Sequence, residues 1–152
     1  MTPRIDRATR LIHAQPSKIA EAFAMPDQYI KWLPPAGMTG HALDYDFREG
    51  GRYRIELTYA SPGAGKTSAR TDISSGRFIA LDPGRRIVMS VAFDSADPAF
   101  AGEMIMTWTF APAPGGTQVA VTAEHVPAGI SPEDHAIGLN SSLENLARHV
   151  EA

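Results

Sequence analysis

The stretch from Lys31 to Arg54 constrains the fold of this chain more than any other. It opens KWLPPAGMTG and closes FREGGRYR. Pro34 and Pro35 follow Trp32; together they block helix continuation and force extended backbone. Further on, Gly50-Gly51 supplies backbone freedom at a tight turn. The order is therefore helix end, rigid loop, strand, tight turn, strand, with a large aromatic at the mouth of the loop.

The hydrophobic period on either side extends this reading. Residues 5–13 (IDRATRLIH) predict a first strand. Pro16 and Ser17 start a helix, the proline in its first turn and the serine as its cap. Ile19, Ala22 and Phe23 recur at helical spacing. Pro26 interrupts that helix, and a second short one runs from Asp27 to Trp32.

The period then changes to two. Leu43, Tyr45 and Phe47 alternate with polar or small residues, and so do Tyr53, Ile55, Leu57 and Tyr59. Such alternation marks antiparallel strands with one covered face. Residues 71–81 form a less regular strand. Ile87, Met89, Val91 and Phe93 share one face, and Met104, Met106, Trp108 and Phe110 share the next. PAPGG turns a hairpin. Val119, Val121, Ala123 and His125 are placed together on the last strand.

Ser131, Pro132 and Asp134 open the clearest helix, with Ser131 as N-cap. Ala136, Leu139, Leu143, Leu146, Ala147 and Val150 make its apolar stripe, with Ile137 off it. At about 18 residues it is ~27 Å long, enough to cross a sheet. A single long helix buries its stripe on a curved sheet. Ala and Leu cannot fill the space that a sheet face rich in Tyr, Phe, Trp and Met encloses. A cavity between helix and sheet follows as an expectation.

The chain has 152 residues, enough for one domain spanning 1–152, and at this size folding buries roughly 70% of the unfolded surface. A net charge of −3 argues against nucleic acid as a main partner. The absence of cysteine excludes disulfides, thiolate zinc sites and a cysteine nucleophile. The first residues carry charges throughout and no signal-peptide core, and no apolar run reaches the ~18 residues of a membrane span. The chain reads as a soluble cytoplasmic protein with no membrane partner. A homodimer is left open.

This order of elements resembles the START-like (SRPBCC, helix-grip) superfamily. Within it the chain is similar to the bacterial group named after the activator of the ninety-kilodalton heat-shock protein ATPase. The resemblance covers essentially the whole chain and is carried by AQPSKIAEAFAMPDQYIKWLPP, FREGGRYRIEL, GTQVAVTAEHVP and HAIGLNSSLENLARHVE. It implies an α+β helix-grip fold: a curved antiparallel sheet of six or seven strands around the long C-terminal helix. It also implies an internal pocket for apolar or amphipathic small molecules, but no particular reaction. The expected pocket residues are Trp32, Tyr53, Ile55, Leu57, Met89, Met106, Trp108, His125, Leu139 and Leu143.

Polar candidates are few. ASPGAGKT imitates a phosphate loop, but Ala60 replaces the first glycine and a strand follows where the motif needs a helix. The five histidines (13, 41, 125, 135, 149) have no metal-ligand spacing, so neither metal nor cofactor is expected. His149 suits the end of the last helix, and His13 and His41 belong near strand ends. His125 is either satisfied by backbone at a strand end or orients a ligand. His135 is either part of a solvated capping turn or stands at the pocket entrance. Trp32 either gates the pocket or plugs its end. Arg48, Arg52 and Arg54 are read as cross-strand partners of Asp44, Asp46 and Glu56. No catalytic set can be assembled from spacing.

Binding of a small lipophilic or aromatic molecule is therefore the expected function, as carrier, sensor or resistance-type protein. The alternatives are a polyketide-cyclase-like enzyme, using His125, Glu124, Glu56 or a tyrosine, and a chaperone-partner module. The Trp-rich motif of the eukaryotic activators is missing.

Overall fold

The computed structural model describes residues 4–35, 37–60, 68, 70–82 and 84–151. Seven strands form one antiparallel sheet: β1 (Ile5–Ile12), β2 (Met38–Tyr45), β3 (Arg52–Tyr59), β4 (Thr71–Asp82), β5 (Arg86–Phe93), β6 (Met104–Ala113) and β7 (Gly116–Glu124), in the order β1-β7-β6-β5-β4-β3-β2. β2 to β7 form a meander, and β1 pairs with β7 along its whole length. Two strands consecutive in sequence, β1 and β2, thus lie on opposite edges. At ~4.8 Å per strand the connection between them spans roughly 29 Å. Helices α1 (Pro16–Ala24) and α2 (Pro26–Trp32) make this crossing, and α3 (Pro132–Glu151) lies against both of them and against β1.

Proline positions set the boundaries of the first two helices. Pro16 and Pro26 each stand in a first turn, where a missing N–H costs nothing. α2 begins one residue earlier than expected. Ser17 does not cap α1: the N-cap is Gln15, with no side-chain bond. Ile19, Ala22 and Phe23 are buried as their spacing predicts.

Gly50 has a φ of +79°, a left-handed conformation that L-residues with a side chain resist. A Cβ on Gly51 would lie 2.0 Å from the Asp46 carbonyl oxygen. The pair is held against β4 by Gly50 N–H to Phe78 O (2.7 Å) and Phe78 N–H to Gly51 O (2.9 Å). The alternation before this turn is interrupted. The β2–β3 register shifts between Ala42 and Asp44, and Leu43 is 52% exposed rather than inward. A bulge on an edge strand absorbs one residue and reverses the facing.

Helix α3 opens with the expected cap: the Asp134 N–H donates to Ser131 Oγ at 3.1 Å. Its buried face is Leu139, Ser142, Leu143, Leu146, Ala147 and Val150. Ala136 is exposed, so the stripe continues toward the N-terminus through Gly138 and His135 instead. Four bonds fix the second half of the helix. Ser142 Oγ donates to Leu33 O (2.8 Å) and Asn145 Nδ2 to Pro34 O (2.9 Å). His149 Nε2 meets Gln28 Oε1 at 3.0 Å, and the His13 N–H donates to Glu151 Oε2 at 2.9 Å.

On the surface, the expected cross-strand pairing is not what forms: Arg48 pairs with Asp46 at 2.7 Å, but within the turn between β2 and β3, and Arg54 pairs with Asp94 at 3.2 Å rather than with a β2 carboxylate. Residues 61–67, which hold most of the phosphate-loop imitation, lie outside the described residues; β4, a strand, follows. No helix among the described residues is long and apolar enough to cross a membrane.

Candidate functional site

Beneath the first half of α3, sheet and helix line a half-open cavity of about 500 Å³. Its floor comes from alternate residues of four strands. β3 gives Tyr53, Ile55, Leu57 and Tyr59, and β4 gives Asp72 and Ser74. β5 gives Met89, Val91 and Phe93, and β6 gives Met104, Met106 and Trp108. Tyr29, Leu33, Pro35 and Met38 close one side. The roof is Asp134, His135, Gly138, Leu139 and Ser142 of α3. A Cβ at Gly138 would meet nothing within 4 Å, so the glycine leaves open space under the helix.

Seven of the ten expected pocket residues line this cavity: Tyr53, Ile55, Leu57, Met89, Met106, Trp108 and Leu139. Three do not. Leu143 and Trp32 are each 1% exposed and belong to the packed core. Trp32 Nε1 donates to Ala22 O at 2.9 Å, and its ring meets Phe23, Tyr29 and Trp108 edge-on. It is a packed core residue and does not line this cavity. His125 is exposed, because β7 ends at Glu124 and a φ of +58° breaks the alternation there. Ala123 is the last buried residue of that strand face.

Strand registers sort the lining by depth. Leu57 pairs with Asp72, Ser74 with Phe93, Val91 with Met104, and Ile5 and Ile105 both with Glu124. Tyr59, Asp72, Phe93, Met104 and the start of β1 thus share one end of the sheet. Tyr53, Met89, Met106 and Trp108 lie further along it. The carboxylates and the imidazole gather at the first end, together with Phe100, Gly129 and Ile130 from the loops.

Two polar clusters are built there. Tyr59 Oη donates to Asp72 Oδ2 at 2.7 Å, and Asp72 is itself 6% exposed. Burial, and then the Asp72 carboxylate, push the Tyr59 phenol above its ordinary value. On the other flank, His135 Nδ1 lies 2.7 Å from Asp6 Oδ2. Arg4 holds the same carboxylate from β1's approach, Nη2 to Oδ2 at 2.7 Å and Nε to Oδ1 at 3.0 Å. The Arg4 hydrogen bonds, and then His135, hold the Asp6 carboxyl below the usual carboxylate range despite partial burial.

Deeper in, two donors have no protein partner among the described residues. They are the Tyr29 hydroxyl, on a residue 3% exposed, and Trp108 Nε1. Burial pushes the Tyr29 phenol above its ordinary value. No group of three or more metal-ligating side chains occurs among the described residues.

Sequence reasoning missed Asp72, Ser74 and Tyr29. Asp72 and Ser74 put polar residues on the cavity face of β4, the reverse of what alternation assumes. Tyr59, Val91, Phe93 and Met104 were already on the right faces and needed only the topology to join them.

The fold and residues 13–151 match the family described as Activator of Hsp90 ATPase homolog 1-like protein. The chain belongs to this family. A crystal structure of a protein from Chromobacterium violaceum is 34% identical over 99% of both chains, with a TM-score of 0.88. An AHSA1-like protein of Aeromonas hydrophila is 20% identical, covers 97% of this chain and 92% of its own, and has a TM-score of 0.74. A Rhodobacter sphaeroides protein, 23% identical over 95% of this chain and 88% of its own, has a TM-score of 0.72. The last two likenesses are of fold alone. No curated protein matches the chain. Membership of the activator-homologue family bears out the helix-grip architecture and places the chain in a ligand-binding superfamily in general terms.

Proposed function

We propose that the protein binds a small lipophilic or aromatic molecule in the cavity between sheet and α3, as a carrier, sensor or resistance-type protein. The carrying observation is the cavity itself: about 500 Å³, within the range of small-molecule sites, and walled mainly by Ile, Leu, Val, Met and aromatic side chains. Burying about 250 Å² of ligand apolar surface in such a wall contributes about 6 kcal/mol before association costs. The side chains around this space do not close it, although Trp32, Phe23 and Phe110 pack tightly beside it.

The test is titration with N-phenyl-1-naphthylamine, an uncharged fluorophore that brightens in apolar surroundings. Saturable enhancement at one probe per chain is expected. A linear, unsaturable response would overturn the proposal. Native purification followed by mass spectrometry would then identify what the cavity carries.

A further inference from the structure

The Asp6–His135 pair has a direction. Asp6, on β1, is held as a carboxylate by three hydrogen bonds from Arg4 and can only accept. The proton between Asp6 Oδ2 and His135 Nδ1, 2.7 Å apart, therefore sits on Nδ1. In a neutral imidazole whose Nδ1 carries the proton, Nε2 is an acceptor. Nε2 has no protein partner among the described residues, and His135 lines the cavity. The two residues lie 129 positions apart and on different elements, so their bond is not a by-product of helix capping. Asp134 lines the cavity beside His135, and no lysine or arginine lines it among the described residues. An anionic ligand would meet a carboxylate there and no fixed cation.

We propose that His135 is the polar recognition point of the cavity, and that its ligand is an uncharged, mostly apolar molecule with a hydroxyl group, a phenol or an alcohol, whose O–H donates to Nε2. This rests on the cavity-binding reading and adds the class of ligand to it. Asp6 and Arg4 act as positioning residues that hold the ring in one tautomer and one orientation. The apolar body of the ligand lies toward Met89, Met106 and Trp108, and its hydroxyl remains near the polar end.

Three naphthalenes of similar size form the test: 1-naphthol, 1-methoxynaphthalene and 1-naphthoate, titrated by calorimetry. In the wild type, 1-naphthol should bind roughly three- to tenfold tighter than its methyl ether, the range of one net hydrogen bond, and 1-naphthoate weakest. In His135→Phe the naphthol preference should vanish, with the ether's Kd within about threefold of the wild-type value. Asp6→Asn should reduce the preference by freeing the ring. A second measurement needs no variant: the ¹⁵N resonances of His135 should show a proton on Nδ1, and Nε2 should shift with 1-naphthol and not with the ether.

Equal binding of naphthol and ether by the wild type overturns the recognition point alone. So does an undiminished preference in His135→Phe, or a proton found on Nε2. Failure of all three compounds to bind overturns the cavity reading and this inference with it.

Discussion

Tyr29 and Tyr53 are equally buried, each 3% exposed, and both line the cavity, yet their hydroxyls differ. Tyr53 Oη donates to the Ser90 carbonyl. The Tyr29 hydroxyl has no protein partner among the described residues. A buried hydrogen bond is worth about 1 kcal/mol net, and its loss strands an acceptor. Tyr53→Phe should therefore cost about 1–2 kcal/mol in urea unfolding, whereas Tyr29→Phe should stay within about 0.5 kcal/mol of wild type. Equal losses would mean that Tyr29 has a structural partner after all. Asp6 behaves differently because its effect depends on pH. Its carboxyl sits lower in the folded chain than in the unfolded one, where ~3.9 is usual. The stability it contributes is full above that unfolded value and is lost as pH falls through the folded one. Asp6→Asn should thus be less stable than wild type at pH 7. The difference should shrink as pH falls below about 4; urea midpoints at pH 7 and pH 3 check it, and a gap that widens in acid would contradict it. Neither tyrosine's role, nor the Asp6–His135 bond, was visible in the sequence. Hydrophobic period says which way a side chain points, not whether a carbonyl or a carboxylate from a distant strand waits for it.

Helix α3 shows how far periodicity carries and where it stops. Its existence, N-cap and lower stripe follow from apolar spacing, and all of these are present. The upper stripe was misread because an apolar residue, Ala136, was preferred to a polar one. The cavity reverses that preference: over open space the helix presents Gly138 and His135, while Ala136 and Ile137 face solvent. Polar residues on an inward face are thus the trace of the site, on α3 as on β4. The same helix fixes the loop after α2 through Ser142 and Asn145, whose side chains donate to the carbonyls of Leu33 and Pro34. Pro34 and Pro35 have no N–H to pair with a neighbouring strand, so this loop depends on its carbonyls for anchorage. Replacing both residues, Ser142→Ala with Asn145→Ala, should cost about 2 kcal/mol, the sum of two net hydrogen bonds. Hydrogen exchange should quicken at Leu33 and Met38, whose N–H groups donate to Tyr29 O and Pro35 O, while the β6–β7 amides keep their protection. Uniform quickening across the sheet would show that the two bonds serve the whole fold rather than the loop.

For the molecule as a whole, the order of elements was enough to give an antiparallel sheet with a helix across it. Which residues meet in the cavity was not, because five strands and two helices contribute and only strand register and helix packing together bring Ser74, Met106, Tyr29 and Leu139 into one lining. A packed core and an empty pocket also use the same residue types, so composition cannot separate Trp32, which is packed, from Trp108, which lines the space. A filling substitution separates them experimentally. Met106 is half-buried, and as a cavity-lining residue it faces open volume. An indole placed there enters existing space and forces little overpacking, so the usual cost of about 1–3 kcal/mol for small-to-large changes should not appear. Added apolar burial at about 25 cal/mol per Å² favours the folded state instead. Met106→Trp should leave the unfolding midpoint equal or higher and weaken N-phenyl-1-naphthylamine binding by at least roughly tenfold, because the ligand loses the volume that the indole takes. The Trp108→Phe variant acts at the same wall in the opposite sense, enlarging the space and removing an unpartnered N–H. If binding survives in Met106→Trp with unchanged affinity, the probe sits elsewhere on the protein and the cavity is not its site. If instead Met106→Trp unfolds, the space cannot take an added ring, and a small molecule of that size has no room in it either.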